Sequence, residues 1–323
     1  MKRKVFLLFT VMQMASFVAA CAEKKSDDVT LTDDREATIS PDETEGETDT
    51  ETPTGKEAQE EEDMEQESRK TPAFEYSRDN LTYELVWSDE FDYEGKPDPE
   101  KWGYEMGYVR NNELQLYTYE DNVKVEDGVL KIELRKEDDG TITSGSIMTQ
   151  GRADWKYCKV EVAAKIPLGL GTWPAIWMMP SESAYGGWPS SGEIDICEHV
   201  GCDPNVIVNT VHTDKYRDNM KKTKCIRKKD VSEEFHIYGL EWLPDKMIFT
   251  VDGKEVLTYD PLKYNEELTW DIWPFDREFY LILNLAYGGS WGGMRGVDDS
   301  YFPAEYVIDY VRVYQSPELK EIM

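Results

Sequence analysis

Residues 22 to 70 contain no phenylalanine, tryptophan or tyrosine, and only 6 Lys and Arg stand there against 19 Asp and Glu. A stretch so polar and so charged cannot bury enough apolar surface to offset chain entropy. This excludes a folded domain and predicts a disordered acidic tether over 21–73. Positive charge is scarce along the whole chain, with 36 Lys and Arg against 66 Asp and Glu and a net charge of −30. Nucleic acid is thereby excluded as a partner, because phosphates require cationic neutralisation. No long internal repeat is present, which excludes a propeller, and no run shows sustained helical periodicity. The five cysteines lack the C-x-x-C spacing of metal sites. The one basic run, "KKTKCIRKK" at 221–229, is expected to be a solvated loop, with a patch for an acidic ligand as the alternative.

At the start of the chain, Lys2, Arg3 and Lys4 precede an apolar run from Val5 that ends in small residues and passes at once into polar sequence. It is too short to span a bilayer and reads as a secretory signal over 1–20. The residues "VAAC" resemble the bacterial lipobox, whose cysteine is acylated, so Cys21 is the expected lipid anchor; plain signal cleavage with a free Cys21 is the alternative. The acidic "SDD" that follows resembles a surface-export signal of Gram-negative lipoproteins. An exported protein held on the outer membrane at the cell surface is expected, its folded body on a tether spanning roughly 40 Å or more. Disulfides are permitted there, and Cys202 with Cys225 is the pair to test, with the connectivity of Cys158, Cys197, Cys202 and Cys225 open.

All ten tryptophans lie between Trp87 and Trp291, within a folded part at 74–318. Short alternating runs such as "VKVEDGVLKIELRK" and "KMIFTVDGKEVLTY" dominate it, and Asp-Gly between two of them predicts hairpins at 127–128 and 252–253. Many strands of even size and few helices point to an all-β sandwich or jelly roll in a single domain.

One of these strands is unusual. "GEIDICEHVG" places Glu193, Asp195 and Glu198 within six residues. Alternation puts Glu193 and Asp195 on one face, and Glu198 on the other. One extra residue bulging out at Ile196-Cys197 restores Glu198 to the acid face. The two glutamate carboxyls then come roughly 5–6 Å apart, the spacing of retaining glycoside hydrolysis, in which one carboxylate attacks the anomeric carbon and a second carboxyl protonates the leaving oxygen. The bland alternative is the solvent face of an amphipathic strand. The neighbouring Trp173, Trp177 and Trp188 count against it, since aromatic faces are platforms for sugar rings.

With "GTWPAIWMMP" upstream, "WPSSGEIDICEHVG" resembles glycoside hydrolase family 16, in its laminarinase-type branch with a bulged E-x-D-x-x-E motif. "WSDEFD" at Trp87, "NNELQLYT" at Asn111, "VNTVHT" at Val208, "LILNLAYGGSWGG" at Leu281 and "IDYVRVYQ" at Ile308 match in the family's order. The resemblance implies a concave, concanavalin A-like jelly roll whose cleft binds an extended glycan. It makes Glu193 the nucleophile, Glu198 the acid/base and Asp195 the residue that tunes the nucleophile, with His212 beside them. It sets Asn112, Glu113, Trp173, Trp177, Trp188 and Trp291 along the glycan cleft, although with ten tryptophans several must be core. His199 and His236 are expected to be ordinary core histidines. No cofactor is expected for catalysis. The resemblance allows a structural calcium on Glu90 and Asp309. An arginine common in the family's "TSGR" segment is replaced here by Ser146.

The expected function is retaining endo-hydrolysis of β-1,3- or mixed-linkage β-1,3/1,4-glucan by a monomer tethered to the membrane. The alternatives are a galactan hydrolase of agarase or porphyranase type and a surface lipoprotein that binds glycan without cleaving it.

Overall fold

A computed structural model of the protein describes residues 74–217 and 222–320. The expected signal at 1–20, the anchor Cys21 and the tether to residue 73 lie outside the described residues, as does Lys221 of the basic run. In chain order the strands are β1 (Glu84–Asp89), β2 (Gly103–Tyr104), β3 (Leu116–Tyr117), β4 (Val123–Glu126), β5 (Val129–Lys136) and β6 (Ile142–Ser144). The middle of the chain supplies β7 (Ser146–Met148), β8 (Cys158–Lys165), β9 (Thr172–Pro180), β10 (Glu193–Glu198), β11 (Val206–His212) and β12 (Lys222–Arg227). Then come β13 (His236–Trp242), β14 (Met247–Val251), β15 (Lys254–Tyr259), β16 (Phe279–Tyr287) and β17 (Ala304–Gln315).

Two sheets result. One runs β15-β14-β13-β8-β17-β5-β6-β3, with β1 added on β17 and β4 on β5, and the other runs β12-β11-β10-β9-β16-β7-β2. Both predicted hairpins form. At β4/β5 and β14/β15 the turn residues Asp127, Gly128, Asp252 and Gly253 all have positive φ, from 51° to 76°, the geometry a two-residue turn needs to follow strand twist.

Alternation along the strands builds the core between the sheets. Ile176 and Met178 of β9, Ile194 and Ile196 of β10, and Leu281, Leu283 and Leu285 of β16 face Val160 and Val162 of β8, Leu240 and Trp242 of β13, and Val311 and Val313 of β17 in one buried cluster. Burying each such side chain contributes about 1.5–3 kcal/mol. The opposite face of the second sheet carries small separate clusters, Trp173 with Val200 and Ala286, and Ala175 with Trp177 and Ile282.

Two expectations change. The basic run is a strand rather than a loop: β12 pairs with β11 in unbroken register from Val206↔Arg227 to Val211↔Lys222. It is the edge strand of its sheet, where lysines discourage further strand pairing. Cys202 carries a free thiol, so no disulfide joins it to Cys225, and Cys158 and Cys197 are buried core thiols.

Candidate active site

The three acids of β10 share one face because the strand carries one residue too many. Against β11, Glu193 pairs with His212, Asp195 with Thr210, and Glu198 with Val208, so five steps along β10 match four along β11. Against β9, Asp195 pairs with Trp177 and Cys197 with Ile176, which identifies Ile196 as the extra residue. Ile196 and Cys197 both point into the core, and Glu198 returns to the side of Glu193 and Asp195. A bulge disrupts the ladder and leaves a carbonyl to be satisfied. The buried side-chain amide of Asn209 donates to the Ile196 carbonyl. This role is not readable in the sequence, where the only sign of it is an asparagine inside the apolar run of β11. At the start of β10, Gly192 has φ 86°, and a Cβ there would lie 2.6 Å from Phe275, so only glycine fits the entry to the catalytic strand.

Around the acids the partners are specific. The Trp188 indole N–H donates to Glu193 Oε2 at 2.6 Å, and the Trp173 indole N–H donates to Glu198 Oε1 at 3.1 Å. His212 Nε2 lies 3.1 Å from Asp195 Oδ2 and 3.8 Å from Glu193 Oε1, and its ring tilts against Trp188 with centroids 5.8 Å apart. Asp195 is only 2% exposed. Burial pushes the Glu193 carboxyl up to about 7; the charge of Asp195 adds to the rise, while His212 and the Trp188 N–H oppose it. Two carboxyls so placed, one at each end of a three-acid row, can attack and protonate opposite sides of one bond.

The tryptophans divide by position. Trp188 is 56% exposed and overhangs the Glu193 end. Trp173 and Trp291 meet edge to face, centroids 5.4 Å apart, at the Glu198 end. Trp177 shares the face of Asp195, its partner across β9 and β10; the Arg110 guanidinium lies 4.8 Å from its ring centre, and its indole N–H donates to Asn284 Oδ1 at 2.8 Å. Arg110 and Asn284 are thus cleft residues missed in the sequence; a polar residue inside "LILNLAY" was the available sign for the second. Glu113 is turned inward. It is buried and accepts from Gln115 Nε2 at 2.7 Å and Asn111 Nδ2 at 3.1 Å. Burial raises its carboxyl, and its place is inside the loop that presents exposed Asn112. His199 is fully buried, its pKa lowered to about 4 by desolvation, as a core histidine should be.

The Glu90 and Asp309 pair does not fit a calcium ion. Arg312 Nε and Nη2 grip the Glu90 carboxylate at 3.0 and 2.7 Å and hold its pKa low. Asp309 is the extra residue where β17 slips against β8. A cation site needs free carboxylate oxygens, and here the guanidinium already occupies one of the two. Among the described residues, the His and acid group close enough to share an ion is Glu193, Asp195 and His212, with ligand atoms within 4.8 Å, and it coincides with the acids already described.

Comparison with known proteins agrees with this arrangement. Residues 110–312 match the family described as glycosyl hydrolases family 16. The chain is 47% identical over 251 residues to a beta-glucanase of Rhodothermus marinus, covering 72% of this chain and 85% of that protein. Its structure is similar to the X-ray structure of the laminarinase from Rhodothermus marinus, with TM-score 0.71 and 45% identity over 73% of this chain and 99% of that one. It is also similar to SCLam, a non-specific endo-beta-1,3(4)-glucanase, with TM-score 0.67 and 45% identity over 73% of this chain and 92% of the other.

Proposed function

The chain belongs to glycosyl hydrolases family 16, and from that premise we propose that it is an endo-β-1,3(4)-glucanase that cleaves with retention of configuration. The observation that carries the reading is the one-residue slip that gathers Glu193, Asp195 and Glu198 on one face. Ionised Glu193 attacks the anomeric carbon while Glu198 gives its proton to the glycosidic oxygen, and the aglycone leaves. A glycosyl ester on Glu193 remains. Glu198, now a carboxylate, takes a proton from water, whose oxygen displaces Glu193 and restores both carboxyls. Asp195 and His212 hold Glu193 from one side and Trp188 from another, so its attacking oxygen is fixed in place.

Product analysis on β-1,3-glucan, mixed-linkage glucan, agarose, porphyran and xyloglucan tests the substrate class. Internal cleavage of the first two, with β-anomeric products appearing first by NMR, is expected. Release from agarose or porphyran alone would instead assign a galactan hydrolase, and binding without release a glycan-binding protein.

The raised Glu193 pKa fixes the direction of a pH effect. Only the ionised carboxylate attacks, so kcat/KM climbs with pH through about 7 on the acid side of its profile. Asp195→Asn removes a neighbouring negative charge and shifts that limb to lower pH. A limb that stays put in the variant would assign it to another group.

We place the enzyme outside the cell, carried on the acidic tether from an acylated Cys21. The lipobox-like "VAAC" and the aromatic-free segment 22–70 support that reading. Radiolabelled palmitate incorporation that disappears in Cys21→Ser tests it.

A further inference from the structure

We propose that Arg110 supplies, from a loop, the cleft guanidinium that position 146 lacks, and that it binds the glucosyl unit next to the one held at Glu193. This rests on the β-glucanase reading. Ser146 stands where the resembling "TSGR" segment carries arginine. It lies on β7 opposite Asn284 of β16, which in turn pairs with Ala175 of β9 and, through it, with Glu198 of β10. Cross-strand partners share a face, so Ser146 belongs to the same surface as the catalytic acids, and its short side chain leaves room above the sheet.

That room is used. The Ser146 hydroxyl donates to Glu105 Oε2 at 2.7 Å, and the Glu105 backbone N–H donates to the Ser146 carbonyl at 3.1 Å. Glu105 forms an ion pair with Arg110, whose guanidinium carbon lies over Trp177, 4.8 Å from the ring centre. Thus Ser146 holds Glu105, Glu105 holds Arg110, and Trp177 sets its height.

The position suits a sugar. Trp177 pairs with Asp195 across β9 and β10, and neighbouring strands lie about 4.8 Å apart, close to the advance of a glycan per residue. A glycan laid across the strands with one ring at Glu193 therefore brings its neighbour to β9, against the outer side of the Arg110 guanidinium that covers Trp177. Arginine carries five N–H donors, of which one carboxylate occupies only part. The Arg110 side chain is 25% exposed and sits over Trp177, on the face of the catalytic acids, which is where the proposal has the remaining donors meet the glycan. Because Glu105 neutralises the charge, the pair presents donors to hydroxyls of a neutral glucan without favouring a sulfated chain.

The test compares wild type, Arg110→Ala, Arg110→Lys and the double variant Arg110→Ala/Ser146→Arg on β-1,3-glucan oligosaccharides. Arg110→Ala is expected to lower kcat/KM about tenfold or more, mainly through KM, because a contact made equally in ground and transition states acts on binding. Arg110→Lys keeps a cation for Glu105 but cannot stack in the same way, and it loses a comparable amount. The double variant recovers most of the loss, which a purely structural arginine would not allow. Unchanged kcat/KM in Arg110→Ala, or a loss that Ser146→Arg does not reverse, overturns the proposal. A wild type inert on every β-glucan would instead overturn the activity on which the proposal rests.

Discussion

Glu193→Ala and Glu198→Ala are each expected to lose about 10⁴-fold or more in kcat/KM on β-glucan, because each removes a group that acts only in the transition state. The two losses differ in kind. Without Glu198 the nucleophile is intact, and only the proton for the leaving oxygen is missing. An aryl glucoside oligomer whose leaving group departs unprotonated, such as a dinitrophenolate, should restore a burst of product in the Glu198 variant as the glycosyl ester forms. The ester then accumulates, because no base activates water. Glu193→Ala should show no burst with that substrate, since no carboxylate attacks the anomeric carbon. Mass spectrometry of the trapped ester reads the difference directly. Ester formation in the Glu193 variant, or none in the Glu198 variant with the activated substrate, would reverse or abolish the assignment of roles. Trp173 and Trp188 are unequal witnesses here. Each donates an indole N–H to one of the two glutamates, and these contacts keep each carboxyl aimed once the other is removed.

The second large effect concerns the slip in β10. Five steps along this strand match four along β11. Deleting Ile196 alone therefore converts the bulge into regular strand and leaves Glu193, Asp195 and Glu198 on one face, in the alternation of any strand. Deleting Ile196 and Cys197 together shifts Glu198 by one more place and turns it toward the core. The expected result is a sharp contrast. The single deletion keeps measurable hydrolysis, with stability reduced by about 2–5 kcal/mol for the lost core side chain. The double deletion falls to the level of Glu198→Ala, and it also buries a carboxylate among Ile194, Val211 and Tyr238. Circular dichroism and thermal melting separate loss of fold from loss of alignment, and an Ile196→Ala variant sets the cost of the side chain alone. An inactive single deletion that remains folded would show that the facing of the acids is not what the extra residue provides. Asn209 gives an independent reading of the same feature: it holds the Ile196 carbonyl that the bulge releases, so Asn209→Ala should loosen the strand without touching an acid.

Much of this site was legible in the letters because strands impose a period of two. An apolar run that breaks that period with three carboxylates demands either a solvent face or a bulge, and the flanking tryptophans favoured the bulge. The Asp-Gly hairpins were legible for a similar reason: turns that need positive φ at both central residues accept few residue types. The strand within the basic run 221–229 was not legible, because charge alone cannot distinguish a loop from an edge strand. Its pairing depends on β11, a neighbour it meets only in the fold.

What the sequence determined by itself was the period-breaking acid motif, the strand-rich character of 74–318 and the family likeness, since each follows from local spacing along one chain. The tertiary structure decided which side chains meet across strands distant in sequence. Arg110 reached Trp177 over a gap of 67 positions, Arg312 closed on the Glu90 carboxylate across 222, and Glu113 turned inward to hold a loop. Such contacts depend on sheet order and register, and those are set by the packing of two whole sheets rather than by any short stretch of residues.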